Sequence, residues 1–175
     1  MNRHWKSINA ILILGWLSFL LPSCLDSGPD IPSFEEQLQK DISAIDSYLA
    51  ANNITALQDN SGLRYVILRT GTGNQPTIDS CVTANYQGKL LTSGQEFDKG
   101  ANISFLLNGV IDGWKIGIPL LHEGDSATLY IPSGLAYGYY GYPPEIPSNA
   151  NLIFHIGLKK VGRTYRTSNS VSSCD

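Results

Sequence analysis

Apolar positions change their spacing along the chain, and each spacing predicts a different element. Phe34, Leu38, Ile42, Ile45 and Leu49 step by four, four, three and four, one face of a helix. Ser33 is placed to cap it, and Glu36 three residues on completes a capping box. Asn52 and Asn53 end it. This face packs on the domain behind it in the simpler reading; in the other it meets a second copy or a partner. From Leu63 onward the spacing becomes that of strands. Leu63–Leu68 is one strand, stopped by Gly71 and Gly73. In the next, Val82, Ala84 and Tyr86 alternate with Thr83, Asn85 and Gln87. Ile103–Leu107 and Ala127–Ile131 follow, and Leu152, Phe154, Ile156 and Leu158 share a face of the last strand. Val110–Leu120 holds one short helix, closed off near Pro119, and Gly134–Pro147 is a long loop of Gly, Tyr and Pro. The prediction is an α+β fold: an antiparallel sheet of about five strands, one face covered by a single short helix.

The first residues follow neither spacing. Ala10–Leu21 is a run of twelve interrupted only by Gly15 and Ser18, behind Arg3 and Lys6. A bilayer span takes about 20 apolar residues, whereas a signal peptide needs about 7–15. The run ends in Leu21-Pro22-Ser23-Cys24, which resembles a bacterial lipobox. It implies cleavage before Cys24 and acylation of that sulfur, with an ordinary secreted protein as the plainer reading. Cleavage would leave 152 of the 175 residues and move the side-chain charge balance from −3 to −5. The expected organisation is a signal peptide at 1–23, a tether at 24–32, a helix and linker at 33–60, the folded domain at 61–162 and a tail at 163–175. The expected location is an exported lipoprotein held to a membrane through Cys24, on the periplasmic side of an outer membrane or at the cell surface. Two other cysteines remain, Cys81 and Cys174. About 13 residues separate Val161 from Cys174, which reach up to ~43 Å when extended. A bridge between Cys81 and Cys174 is therefore within reach, and two free thiols are the alternative.

Composition removes several kinds of chemistry. A net charge of −3 lacks the basic footprint of non-specific nucleic-acid binding. Charged residues are 15% of the chain, against roughly 25% in soluble domains. Of three histidines, His4 lies in the leader while His122 and His155 stand alone, His155 on the solvent-facing alternation of its strand. No HExxH or CxxC spacing offers a zinc site, no glycine-rich loop follows a strand to hold phosphate, and no GxSxG elbow presents a serine. The expectation is chemistry without metal, cofactor or covalent intermediate. Aromatic bulk near turns is what remains, and a bowl of such side chains suits a compact apolar group.

Five sequence blocks narrow this further. They are Val82–Gly88 (V-T-A-N-Y-Q-G), Gly94–Asp98 (G-Q-E-F-D), Val110–Trp114 (V-I-D-G-W), Ile131–Gly138 (I-P-S-G-L-A-Y-G) and Ile146–Phe154 (I-P-S-N-A-N-L-I-F). In this order and spacing they resemble the FKBP-type peptidyl-prolyl cis–trans isomerases, from about Gly62 to Gly162. The resemblance implies a strongly twisted antiparallel sheet wrapped around one short helix, here with an extra N-terminal helix. It implies prolyl isomerase activity on proline-containing exported polypeptides. It makes Trp114 the floor of a proline pocket and Tyr86, Phe97, Phe105, Val110, Ile111 and Phe154 its walls. Asp98 and Tyr137 become the polar rim, and the Ile111 N–H the donor to the substrate carbonyl. Tyr142 and Ile146 fall on a loop that would overhang the site.

The chain departs from the family pattern in places. Lys99 and Gly100 stand where serines are usual after Phe97-Asp98, Leu121 replaces a frequent methionine, and Tyr142 takes a position that is often histidine. These changes bear on macrolide inhibitor binding and on sequence preference rather than on the pocket. The alternative function is an FKBP-fold chaperone or client-binding module with little catalysis.

Overall fold

A computed structural model describes residues 32–162. The leader, Cys24 and the tail, with the expectations that fall on them, lie outside the described residues. Helix α1 runs Phe34–Ala51 and begins with the expected capping box. The Glu36 N–H donates to Ser33 Oγ (3.3 Å), and the Ser33 N–H donates to Glu36 Oε2 (2.9 Å). Hydrogen bonding from the Ser33 backbone, then from its hydroxyl, holds the Glu36 carboxyl below its ordinary range.

Six strands follow: β1 Leu57–Gln58, β2 Arg64–Arg69, β3 Cys81–Leu90, β4 Glu96–Leu106, β5 Ser126–Ile131 and β6 Leu152–Gly162. They form one antiparallel sheet in the order β1-β2-β5-β6-β3-β4. Two features differ from the sequence expectation of about five strands. β1 has two residues, too few to show a period. β4 begins at Glu96 rather than Ile103, because its first half is an exposed edge whose polar residues carry no apolar alternation. Its pairing with β3 shifts register between Ala84 and Tyr86, a bulge that turns the strand. Cys81, at the start of β3, is disulfide-bonded.

Between β4 and β5 lies helix α2, Asp112–Gly117, continued by a 3₁₀ turn over Ile118–Leu120. It covers one face of the sheet. A side chain at Gly113 would come within 2.4 Å of Ile131 Cγ2, and one at Gly117 within 2.6 Å of Leu129 Cδ1. Two glycines therefore let the helix lie close on β5. Trp114, Ile118, Leu129, Ile131, Leu152, Phe154 and Leu158 are buried together on this side.

α1 covers part of the opposite face. Ile45 and Leu49 pack with Leu91, Tyr130 and Ile153, so this helix face meets its own domain, as in the simpler reading. The buried stripe is rotated from the expected one: Asp41 lies in it, whereas Phe34 is largely exposed. Arg64 reaches from β2 to Asp46 through two hydrogen bonds, Nε to Oδ1 (2.9 Å) and Nη2 to Oδ2 (3.1 Å), a paired fork that orients the helix on the sheet. No helix among the described residues is long and apolar enough to cross a membrane.

Candidate functional site

β3, β4, β6 and α2 each send large apolar side chains to the same end of the sheet. Tyr86 comes from β3, Phe105 from β4, Phe154 from β6 and Trp114 from α2. Trp114 is their common neighbour, with ring centroids 5.1 Å from those of Tyr86, Phe105 and Phe154. The Tyr86 and Phe154 contacts are edge-on, at 78° and 81°, the arrangement that sets a positive ring edge against a negative face. Strand register decides this grouping: Tyr86 pairs with Ile156 and Gly88 with Phe154, so both aromatic rings emerge on the α2 side.

These residues border a cavity of about 350 Å³, lined by Tyr86, Asp98, Ile103, Phe105, Gly109, Val110, Ile111, Trp114, Tyr137 and Phe154. Eight of the residues singled out in the sequence are brought together here. Three are not. Phe97 stands behind the wall, its ring edge-on to Phe154 at 5.5 Å. Ile146 is 2% exposed and belongs to the core, not to an overhang. Tyr142 is 62% exposed and leans on Tyr137 with centroids 5.8 Å apart. The loop folds back because Tyr142 and Ile146 exchange backbone hydrogen bonds (2.7 and 2.9 Å), which turns Ile146 inward. Ile103 and Gly109 were missed. Ile103 was legible in principle, since it sits two residues before Phe105 and so shares its strand face.

Polarity is confined to the rim. The Tyr86 hydroxyl donates to Asp98 Oδ2 at 3.0 Å. Burial first, then this hydrogen bond, raises the Tyr86 hydroxyl above its usual pKa. Tyr137 is raised by burial first and then by the charge of Asp98. Both phenols therefore stay protonated as donors at neutral pH. The Ile111 carbonyl caps α2 by accepting from Trp114 and Lys115 (3.0 and 3.1 Å), while no acceptor among the described residues takes the Ile111 N–H. Trp114 Nε1 is likewise buried without an acceptor among the described residues. An apolar bowl with donors at its edge can hold a compact apolar ring and hydrogen-bond the carbonyl attached to it.

The matches to known proteins point the same way. A family model described as FKBP-type peptidyl-prolyl cis-trans isomerase matches residues 73–159. A probable FKBP-type peptidyl-prolyl cis-trans isomerase FkpA of Neisseria meningitidis serogroup B is 46% identical over 106 residues, covering 58% of this chain and 39% of that protein. The chain thus spans about two fifths of that bacterial relative. FK506-binding protein 1 of Gibberella zeae is 34% identical over 110 residues, covering 58% of this chain and 99% of its own length. A crystal structure of a peptidyl-prolyl cis-trans isomerase from Pseudomonas syringae pv. tomato superimposes with a TM-score of 0.64 at 29% identity, covering 78% of this chain and all of that one.

Proposed function

Since this chain belongs to the FKBP-type peptidyl-prolyl cis-trans isomerases, we propose that it catalyses rotation about X–Pro bonds in polypeptide clients exported from the cell. The observation that carries the reading is the cavity floored by Trp114, walled by aromatic side chains and free of charge except for Asp98 at its rim.

Rotation about an amide C–N bond breaks its resonance, a barrier of ~18–20 kcal/mol. The planar ground state has more charge separation than the twisted transition state. A water-excluding bowl therefore solvates the ground state less well than water does, and loses less at the twisted geometry. Val110, Phe105, Phe154 and Trp114 hold the proline ring in this scheme. The Ile111 N–H takes the neighbouring carbonyl, and Tyr137 and Asp98 fix its orientation at the rim. No proton transfer or covalent bond is required of any side chain. A macrolide inhibitor occupies the same cavity in this reading and competes with peptide.

The test is the cis-to-trans relaxation of an Xaa-Pro peptide with and without the protein. Relaxation at the uncatalysed rate would sink the proposal. We further propose that the chain is anchored through a lipid on Cys24, a reading supported by the Leu-Pro-Ser-Cys sequence that ends its apolar leader. Radiolabelled palmitate should enter the wild type and not Cys24→Ala; equal labelling of both rejects the anchor.

A further inference from the structure

Asp41 is an acidic residue in the buried stripe of α1, 2% exposed, and its interactions reach far outside its helix. Oδ2 accepts from the Ser133 N–H (2.8 Å) and from the Ser133 hydroxyl (2.6 Å). Oδ1 accepts from Gln37 Nε2 (2.8 Å). The Ser133 N–H is shared with Asn151 Oδ1 (3.0 Å), and Asn151 Nδ2 donates to the Asp41 backbone carbonyl (3.5 Å). Ser133 and Asn151 are themselves buried.

These two partners are the two ends of one segment. Residues 133–151 form the loop beside the cavity, which carries Tyr137, Tyr142 and Ile146. It leaves the sheet after β5 and returns at the start of β6. Asp41 thus touches both ends of the loop from the opposite face of the sheet, its carboxylate at Ser133 and its backbone carbonyl at Asn151. The path onward to the rim is short. The Ser133 carbonyl accepts from the Ala136 N–H (3.0 Å), and Tyr137 is the next residue. Phe34 of α1 also abuts the loop, since a side chain at Gly134 would fall 2.7 Å from Phe34 Cε2. α1 lies outside the residues 73–159 that the family model matches.

We propose that Asp41 is a positioning residue: through Ser133 and Asn151 it sets the loop that presents Tyr137 to the cavity, which makes α1 part of the active domain. The inference rests on the isomerase reading above. The alternative role, a merely structural buried hydrogen bond, would lower stability and leave the turnover of folded protein intact. A carboxylate is suited to the positioning role because it can accept from the Ser133 N–H and hydroxyl together on one oxygen while the other is held by Gln37.

The experiment measures kcat and KM of the full chain on an Xaa-Pro peptide at a temperature where each variant is folded by circular dichroism. Asp41→Ala should lose roughly tenfold in kcat/KM, the scale of a lost charge-assisted hydrogen bond. Asp41→Asn, which keeps one carbonyl acceptor for Ser133, should recover most of it. Tyr137→Phe should lose activity alone, and adding Asp41→Ala should cost less than the product of the two separate losses, since both act at one point. Folded Asp41→Ala with wild-type kinetics overturns the inference, as do losses that simply multiply. If Asp41→Ala does not fold, Ser133→Ala decides. It removes one of the hydrogen bonds to Asp41, and its loss should overlap with that of Tyr137→Phe; wild-type kinetics or independent losses overturn the inference. A wild-type chain that accelerates nothing overturns the isomerase reading itself, a result distinct from an active wild type with an equally active Asp41→Ala.

Discussion

The two faces of the sheet are held by different physics. On the α2 side, side chains from three strands, β3, β4 and β6, close around Trp114 of α2 with almost no polar contact. Position there follows from strand register and the close fit at Gly113 and Gly117. On the α1 side the apolar cluster is small, Ile45 and Leu49 against Leu91, Tyr130 and Ile153. The remainder is directional: the Arg64–Asp46 fork and the Asp41–Ser133 bonds. Packing fills the first face without aiming any one group, whereas the hydrogen bonds of the second aim particular groups. The floor of the site is thus a property of the core, and its rim is a property of a few oriented contacts.

Breaking the first face should have the larger effect. Trp114→Ala should cost about 3–5 kcal/mol in thermal or urea unfolding, since it empties the centre of the core as well as the cavity floor. Peptide isomerisation should vanish with it. A loss under 1 kcal/mol would show that the aromatic cluster does not hold this face. On the second face Ile45→Ala should cost about 2–4 kcal/mol. Hydrogen exchange should then speed up across α1 before β3 and β6, because the smaller cluster releases its helix first. Uniform exchange throughout would mean that the two faces unfold as one unit.

The loop offers a narrower test. Gly141 has φ +63°, and a side chain there would lie 2.3 Å from the Ile146 carbonyl oxygen. Gly141→Ala should therefore destabilise by about 1–3 kcal/mol. It should disturb the Tyr142–Ile146 turn and leave the Trp114 cluster in place, seen as chemical shifts that change in residues 137–147 alone. At the rim, Tyr86→Phe removes the hydrogen bond to Asp98 while the ring still fills its place. A cost of about 1 kcal/mol or less is expected, with slower turnover and an unchanged fold.

The smallest effect is one of pH. His155 lies on β6 two residues past Ile153 and shares a hydrogen bond with Thr128 Oγ1 at 2.9 Å. Burial first, then the charge of Lys89, pulls its pKa below 6.5. The folded state favours the neutral ring, so its contribution is full above the unfolded value. As pH falls below about 6.5 the unfolded chain takes the proton first, and a small part of the stability is lost. The unfolding temperature should fall slightly over that range, and His155→Gln should remove that component of the slope.

Much of this was legible in the residues. The capping box at Ser33 and Glu36, the alternation in β3 and β6 and the short helix at Trp114 each have a local cause, so short-range spacing predicts them. Most residues that line the cavity were named instead by the resemblance of the five sequence blocks, since spacing alone does not tell an aromatic strand residue of the core from one of a site. Asp41 was not legible in this way. The helical period passes through it, four residues before Ile45, but a carboxylate in an apolar stripe reads as a break in the pattern until a buried partner is seen. Ile146 was misplaced for a related reason: nothing local tells a loop residue that turns out over a site from one that turns in.

By itself the chain determined the two helices and the apolar parts of the longer strands, which of their side chains share a face, and that it carries no HExxH, CxxC or GxSxG pattern. Those properties depend on residues within a few positions of one another. Tertiary structure decided how the aromatic rings meet at Trp114, which side of the sheet each helix takes, and that Asp41 holds both ends of the loop at Ser133 and Asn151. Asp41 and Ser133 are 92 positions apart and Trp114 and Phe154 are 40 apart, and their meeting depends on strand order and register, which spacing along the chain does not encode.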